Sequence, residues 1–297
     1  MLLTLAAALT LATAQQIDTT VPAERGQRLQ VNAYGGKVTV RSWNRSAVRV
    51  EATTSGRNRV EVSSSSTAVS VRTQGRHEPP TELDIRISVP VWMALSLSGV
   101  RTDAKIEGTR APISVETVEG EVNVTGGDGL ISLRSVQGSV YLAGARGRIS
   151  VNSVNEDVQV TNSTGEIMAE SVNGEIALEG VDAATVDAST VNGDISYAGP
   201  IRNGGRYSLS THNGDITLTV AEGSSANVAV STFNGEFESE FPVPLSGTRK
   251  GKGFNFTLGS GSAQVTLESF QGTIQLVRPG SAKDRARRER RDSHDND

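Results

Sequence analysis

The sequence predicts an all-β chain: a single-stranded β-solenoid (β-helix) of short, 18–21-residue coils, closed at its N-terminal end by an antiparallel β-sheet cap. The first observation is a repeated phrase, close to Ile-x-Val-x-Ser-Val-x-Gly-x-Ile/Val-x-Leu, between residues 113 and 276. Its hinge glycines are Gly120, Gly138, Gly174, Gly193, Gly214, Gly235 and Gly272, with Glu156 in the third place of the series. Adjacent members lie 18, 18, 18, 19, 21 and 21 residues apart, with a last interval of 37. A unit this short cannot bury its own apolar face, so the units must stack around a shared core. The second observation is composition: 31 glycines and 4% aromatic residues among many Ser, Thr, Val and Asn suit short strands joined by tight turns. The third is that no helical periodicity occurs beyond the first 14 residues.

Residues 1–14 form an apolar run ending in Ala12-Thr13-Ala14. This fits a signal peptide with a small-x-small cleavage site before Gln15, although no Lys or Arg precedes it. The run is too short for an ordinary spanning helix, and no second apolar span follows. The absence of cysteine excludes disulfides, thiolate metal sites, a cysteine nucleophile and a lipid-modified cysteine.

Residues 15–98 are expected to form the antiparallel cap. Leu29-Gln30-Val31, Lys37 to Arg41, Val48 to Glu51, Val60-Glu61-Val62, Val69-Ser70-Val71 and Leu83 to Ile87 each alternate apolar with polar residues. That is the pattern of half-buried strands. Ser63 to Ser66 reads as a hairpin tip and Pro79-Pro80 as a break. Through Val89-Pro90-Val91-Trp92 the chain enters the solenoid, 99–280, and the two segments are expected to share one body.

Within the repeats, Ile131, Leu133, Val136, Val140 and Leu142 are expected inside, as are Ile149, Val151, Val154, Val158 and Val160, and Ile167, Ala169, Val172, Ile176 and Leu178. The phase shifts at the hinge. Asn173-Gly174, Asn192-Gly193, Asn213-Gly214 and Asn234-Gly235 are read as stacked bends whose amides bond along the axis, in preference to type I′ hairpin turns. The interval between Phe237 and Phe270 is expected to hold a loop carrying Arg249, Lys250 and Lys252 and an irregular coil through Phe254-Asn255-Phe256. Residues 281–297 carry 11 charges in 17 residues and are expected to be a disordered tail.

These residues resemble a bacterial family. Gly36 to Val40 with Trp43, Val48 to Glu51, Leu83 to Pro90, the Val-Asn-Gly-Asp/Glu-Ile repeats, Gly259-Ser260-Gly261 and Ser269 to Ile274 are together similar to the family of unknown function called "putative adhesin". The resemblance covers about residues 25–277. It implies an exported β-helical domain and brings no catalytic residues with it.

Net charge is −4, unevenly spread: 11 Lys/Arg against 7 Asp/Glu over 17–98, 12 against 21 over 99–280, and 6 against 5 over 281–297. An acidic repeat body is a poor partner for nucleic acid. A column of acids follows the hinge: Glu121, Asp157, Glu175, Asp194, Asp215 and Glu236, interrupted by Ser139. It reads as a solvated acidic face rather than a calcium site, because a calcium cage needs six or more convergent oxygens. Gly126-Gly127-Asp128-Gly129 reads as a turn. His77, His212 and His294 lack zinc-type spacing, and no Gly-x-Ser-x-Gly elbow precedes a helix. Arg285, Arg287, Arg288, Arg290 and Arg291 are expected to form a solubilising tail, in preference to a contact with anionic envelope polymer. No catalytic, cofactor or metal residue is assigned.

The functional expectation is a non-enzymatic, exported module at the bacterial envelope, periplasmic or at the cell surface, that binds an envelope glycan or protein. The alternative is an envelope-signalling or protein-interaction scaffold. A polysaccharide-active β-helix enzyme ranks behind both, since any carboxylate pair for it would be arbitrary.

Overall fold

A computed structural model of the chain describes residues 15–54, 59–74, 83–243 and 253–281, and all of its regular structure is β. The expected signal peptide, Pro79-Pro80, His77, His294, the basic loop and the tail beyond Ser281 lie outside the described residues. Among those described, no helix is long and apolar enough to cross a membrane.

The N-terminal strands are β1 (Gln15–Pro22), β2 (Arg28–Ala33), β3 (Gly36–Trp43), β4 (Ala47–Thr54), β5 (Arg59–Ser64), β6 (Ala68–Gln74) and β7 (Leu83–Pro90). The long β8 (Ala94–Thr109) bends between two sheets and starts the regular coils. These are β9 (Ile113–Glu119) with β10 (Val122–Gly126), β11 (Asp128–Arg134) with β12 (Val140–Ala143), and β13 (Arg146–Asn152) with β14 (Val158–Thr161). Then come β15 (Thr164–Glu170) with β16 (Ile176–Glu179), β17 (Asp182–Asn192) with β18 (Ile195–Ala198), and β19 (Arg206–Asn213) with β20 (Ile216–Thr219). The chain ends through β21 (Ala226–Thr232), β22 (Phe237–Ser239), β23 (Phe254–Leu258), β24 (Ala263–Gln271) and β25 (Ile274–Val277).

Each coil gives its first strand to one sheet and its second to the other, and successive coils pair in parallel register. Ile131 lies beside Ile113 and Ile149 in the first sheet, and Val140 beside Val122 and Val158 in the second. Alternation along each strand turns every second side chain inward. The apolar rows of both sheets thus merge into one core running from Ala23 to Leu276. Two tyrosines fill its wider part, Tyr197 and Tyr207, packed edge to face at 5.5 Å. Their hydroxyls are satisfied: Tyr197 donates to Pro200 O at 3.1 Å and Tyr207 to Ala183 O at 2.8 Å.

Both ends depart from sequential stacking. At the C-terminal end β24 pairs with β19 on one side and β21 on the other, and β25 lies between β20 and β22. The last coil of the sequence is therefore inserted inside the stack, and the coil of Gly235 is outermost. β23, expected to lie in an irregular coil, runs antiparallel along β21 and brings Phe254 and Phe256 against Phe237 over the end of the core. At the N-terminal end β2 lies between β6 and β8, and β3 between β7 and β8, all parallel. Antiparallel pairing is limited there to β1 with β4, β4 with β7, and β5 with β6. The expected cap is thus a fringe on two further parallel coils, and residue 98 falls inside β8. Period-two alternation is common to parallel and antiparallel strands, so the sequence pattern did not separate them.

Candidate functional site

The repeats converge on one long edge, where each coil bends from the first sheet to the second. Four columns run along this edge, and each repeat position supplies one of them. Three residues before the hinge stands a Ser or Thr that points inward. Ser135 Oγ donates to Gly120 O at 3.1 Å, Ser153 to Gly138 O at 3.2 Å, Thr190 to Gly174 O at 3.1 Å, Thr211 to Gly193 O at 2.9 Å and Ser269 to Gly214 O at 2.9 Å. These hydroxyls satisfy hinge carbonyls that the bend removes from the sheet ladders.

Two residues before the hinge the side chain points outward. Val136, Val154 and Val172 were expected inside; Val136 and Val154 are only half-buried, and Val172 is 40% exposed. The reason is the preceding hydroxyl, which takes the inward place, so the phase shifts one residue earlier than the apolar pattern suggests. Val100, Val118 and Val191 extend the row, and Tyr34 follows the Ala33–Gly99 pair at its N-terminal end. Toward the C-terminal end the row turns aromatic. His212 stacks on Phe270 at 4.6 Å and Phe270 on Phe233 at 4.9 Å, both 6° from parallel. Phe233 is 60% exposed. His212 is thus part of an aromatic stack. Ten coils at the β spacing make this apolar ridge about 43 Å long.

One residue before the hinge comes an amide row. Asn173 Nδ2 donates to Asn155 Oδ1 at 2.9 Å, Asn192 to Asn173 at 3.0 Å and Asn213 to Asn192 at 2.8 Å. The expected ladder is present for Asn173, Asn192 and Asn213 and gains Asn155. Asn234 stands outside it, because the inserted coil puts Gln271 beside Asn213.

After the hinge comes the acid column. Asp157 Oδ1 accepts from Glu175 N at 2.7 Å, Asp194 Oδ1 from Asp215 N at 2.8 Å, and Asp215 Oδ1 from Thr273 N at 2.6 Å. These carboxylates cap backbone N–H groups of the neighbouring coil, a structural task that the sequence reading did not assign. No three His, Asp or Glu side chains among the described residues converge as a metal-holding group. At Glu156, the exception in the glycine series, the bend does change: Glu156 N turns to Ser153 Oγ at 3.3 Å, and Gly174 N to Ser171 Oγ at 2.9 Å.

The sequence profile described as Toastrack DUF4097 matches residues 12–277. The chain belongs to the Toastrack DUF4097 family. No curated protein matches it. Among solved structures, a "putative adhesin" from Bacteroides fragilis is 13% identical over 89% of this chain and 97% of its own, with a TM-score of 0.47. A "putative lipid binding protein" from Parabacteroides distasonis is 10% identical over 90% and 98%, with a TM-score of 0.46. A "putative adhesin" from the same organism is 10% identical over the same shares, with a TM-score of 0.44. Likenesses this distant carry nothing further for this chain.

Away from the ridge, the described surface of this Toastrack chain mixes polar residues with exposed Leu130 and Met168. The outer face of the first sheet aligns Ser96, Ser114, Ser132 and Ser150 in one row. On the flank away from the ridge an open groove of about 860 Å³ is lined by Gly129, Leu130, Gly147, Arg148, Glu166, Asp182 and Arg202, among others. Arg148 pairs with Glu166 at 2.9 Å, and Arg202 pairs with Asp182 through two nitrogens. The Arg202 hydrogen bonds and charge hold the Asp182 carboxyl below its ordinary range. Gly126 and Gly127, read as a turn, link β10 to β11 at left-handed φ of 97° and 104°.

Proposed function

We propose that the chain is an exported, non-enzymatic binding module of the bacterial envelope, and that the bend edge is its binding surface. The observation that carries this reading is the apolar ridge. Contiguous exposed apolar surface, rimmed by polar groups, marks an interaction site. A ridge at repeat pitch, bordered by amide and carboxylate rows, suits an extended glycan. Sugar rings offer C–H faces to Phe233, Phe270 and the valines, and hydroxyls to the Asn and Asp rows. The signal-peptide pattern of residues 1–14 supports export.

The second reading, a protein-interaction scaffold, is favoured by the stretch Val100 to Val191, whose side chains offer no polar groups. Binding of the mature chain to bacterial and host glycans and envelope fractions, with and without calcium, separates the two. Saturable glycan binding that is lost in Phe233→Ser and survives removal of residues 281–297 is the expected result. Capture of one envelope protein with no glycan bound would favour the scaffold. Glycan binding unchanged by Phe233→Ser and Val191→Ser would remove the ridge from the account.

A further inference from the structure

Asn-Gly pairs undergo a reaction that needs no enzyme. The glycine backbone nitrogen, with no side chain beside it to hinder approach, attacks the asparagine Cγ. The new N–Cγ bond closes a five-membered succinimide as the Cγ–Nδ2 bond breaks, and ammonia departs with the proton from the backbone N–H. Water then opens the ring at either carbonyl, leaving aspartate or isoaspartate. The reaction requires a glycine N–H free to lose its proton and an asparagine side chain free to turn back onto it.

The chain has five Asn-Gly pairs, and the fold treats one of them differently. Gly174 N is bound to Ser171 Oγ at 2.9 Å, Gly193 N to Asn213 O at 3.0 Å, Gly204 N to Ser262 O at 3.1 Å and Gly214 N to Gln271 O at 2.9 Å. The matching asparagines are held as well. Asn173, Asn192 and Asn213 are joined in the amide ladder, and Asn203 Oδ1 accepts from Ser262 Oγ at 2.7 Å. At Asn234-Gly235, in the outermost coil, neither the side-chain amide nor the glycine N–H has a partner among the described residues. Thr232 Oγ1, buried at the same bend, is also unpartnered, although the equivalent Ser171 Oγ holds Gly174 N. Asn234 is exposed.

We infer that Asn234-Gly235 is a self-modification site, where the folded protein converts Asn234 to aspartate and isoaspartate while its four sister pairs are protected. The product carries a carboxylate between Phe233 and Glu236, at the open end of the aromatic stack. The inference stands whether or not the ridge binds a glycan.

The test is to incubate the purified full chain in mildly alkaline buffer, folded and in urea, and to follow each pair by peptide mass mapping with isoaspartate detection. In the folded protein Asn234 is expected to convert roughly tenfold faster than any other pair, the scale of two hydrogen bonds that must open first. In urea the five rates should converge. Asn234→Gln should abolish the fast conversion and leave the melting temperature unchanged. Another pair reacting as fast as Asn234 in the folded chain would overturn the inference. So would an inert Asn234 in the folded chain, or rates in urea that keep the folded ranking.

Discussion

A side chain on Gly193 would collide with Gly174, since its Cβ would lie 2.2 Å from the Gly174 carbonyl oxygen. Neither residue has a left-handed φ. At this hinge glycine is therefore required by the closeness of stacked backbones, not by an unusual conformation. Gly193→Ala should destabilise the chain by about 1–3 kcal/mol, the range for forced overpacking. Chemical denaturation would detect this, and an unchanged midpoint would show that the coils can separate locally at no cost.

The inward hydroxyls give a sharper comparison, because one of them is idle. Thr190 Oγ1 donates to Gly174 O, whereas Thr232 Oγ1 at the equivalent bend has no partner. Thr190→Val should cost about 1–3 kcal/mol by leaving a carbonyl unsatisfied, while Thr232→Val should be neutral or stabilising. Equal losses in the two variants, measured by urea denaturation, would show that hydrogen bonding is not what selects Ser or Thr there.

Much of this arrangement was legible in the residues. The hinge interval gave the coil length, and identical Asn-Gly pairs in successive coils led to the amide ladder. Two features escaped. A buried serine such as Ser171 looks like an exposed one until its acceptor is known, so the outward turn of Val136, Val154 and Val172 is not legible in the apolar pattern. The insertion of β24 and β25 between earlier coils leaves no local trace, because Thr232-Phe233-Asn234-Gly235 and Ser269-Phe270-Gln271-Gly272 follow the same repeat pattern. The interval of 37 residues marked an irregularity but not its topology.

Charge substitution tests the corrected phase directly. Ile176 is fully buried in the core, and Val172, four residues earlier, lies on the ridge. Ile176→Asp should abolish stable folding or cost several kcal/mol, since it buries an unpaired charge. Val172→Asp should cost little, as should Thr217→Asp on the outer face of β20. Thermal melting of the three variants checks the order, and a collapse of Val172→Asp comparable to Ile176→Asp would return Val172 to the interior.

The Asp182–Arg202 pair predicts how stability responds to acid. Hydrogen bonds from Arg202, then its charge, lower the folded pKa of Asp182 below the value of about 3.9 expected in an unfolded chain. A carboxyl with a lowered folded pKa binds more protons when unfolded. Its contribution is therefore present above the unfolded value and is lost as pH falls through the folded one. Asp182→Asn should be less stable than the parent at neutral pH, and the difference should shrink as pH drops below about 4. Because both side chains are substantially exposed, the effect should also weaken with added salt. Urea titrations of parent and variant at neutral and acidic pH measure this. A gap that stays constant across that range would mean that Asp182 acts by packing at the groove rather than by charge.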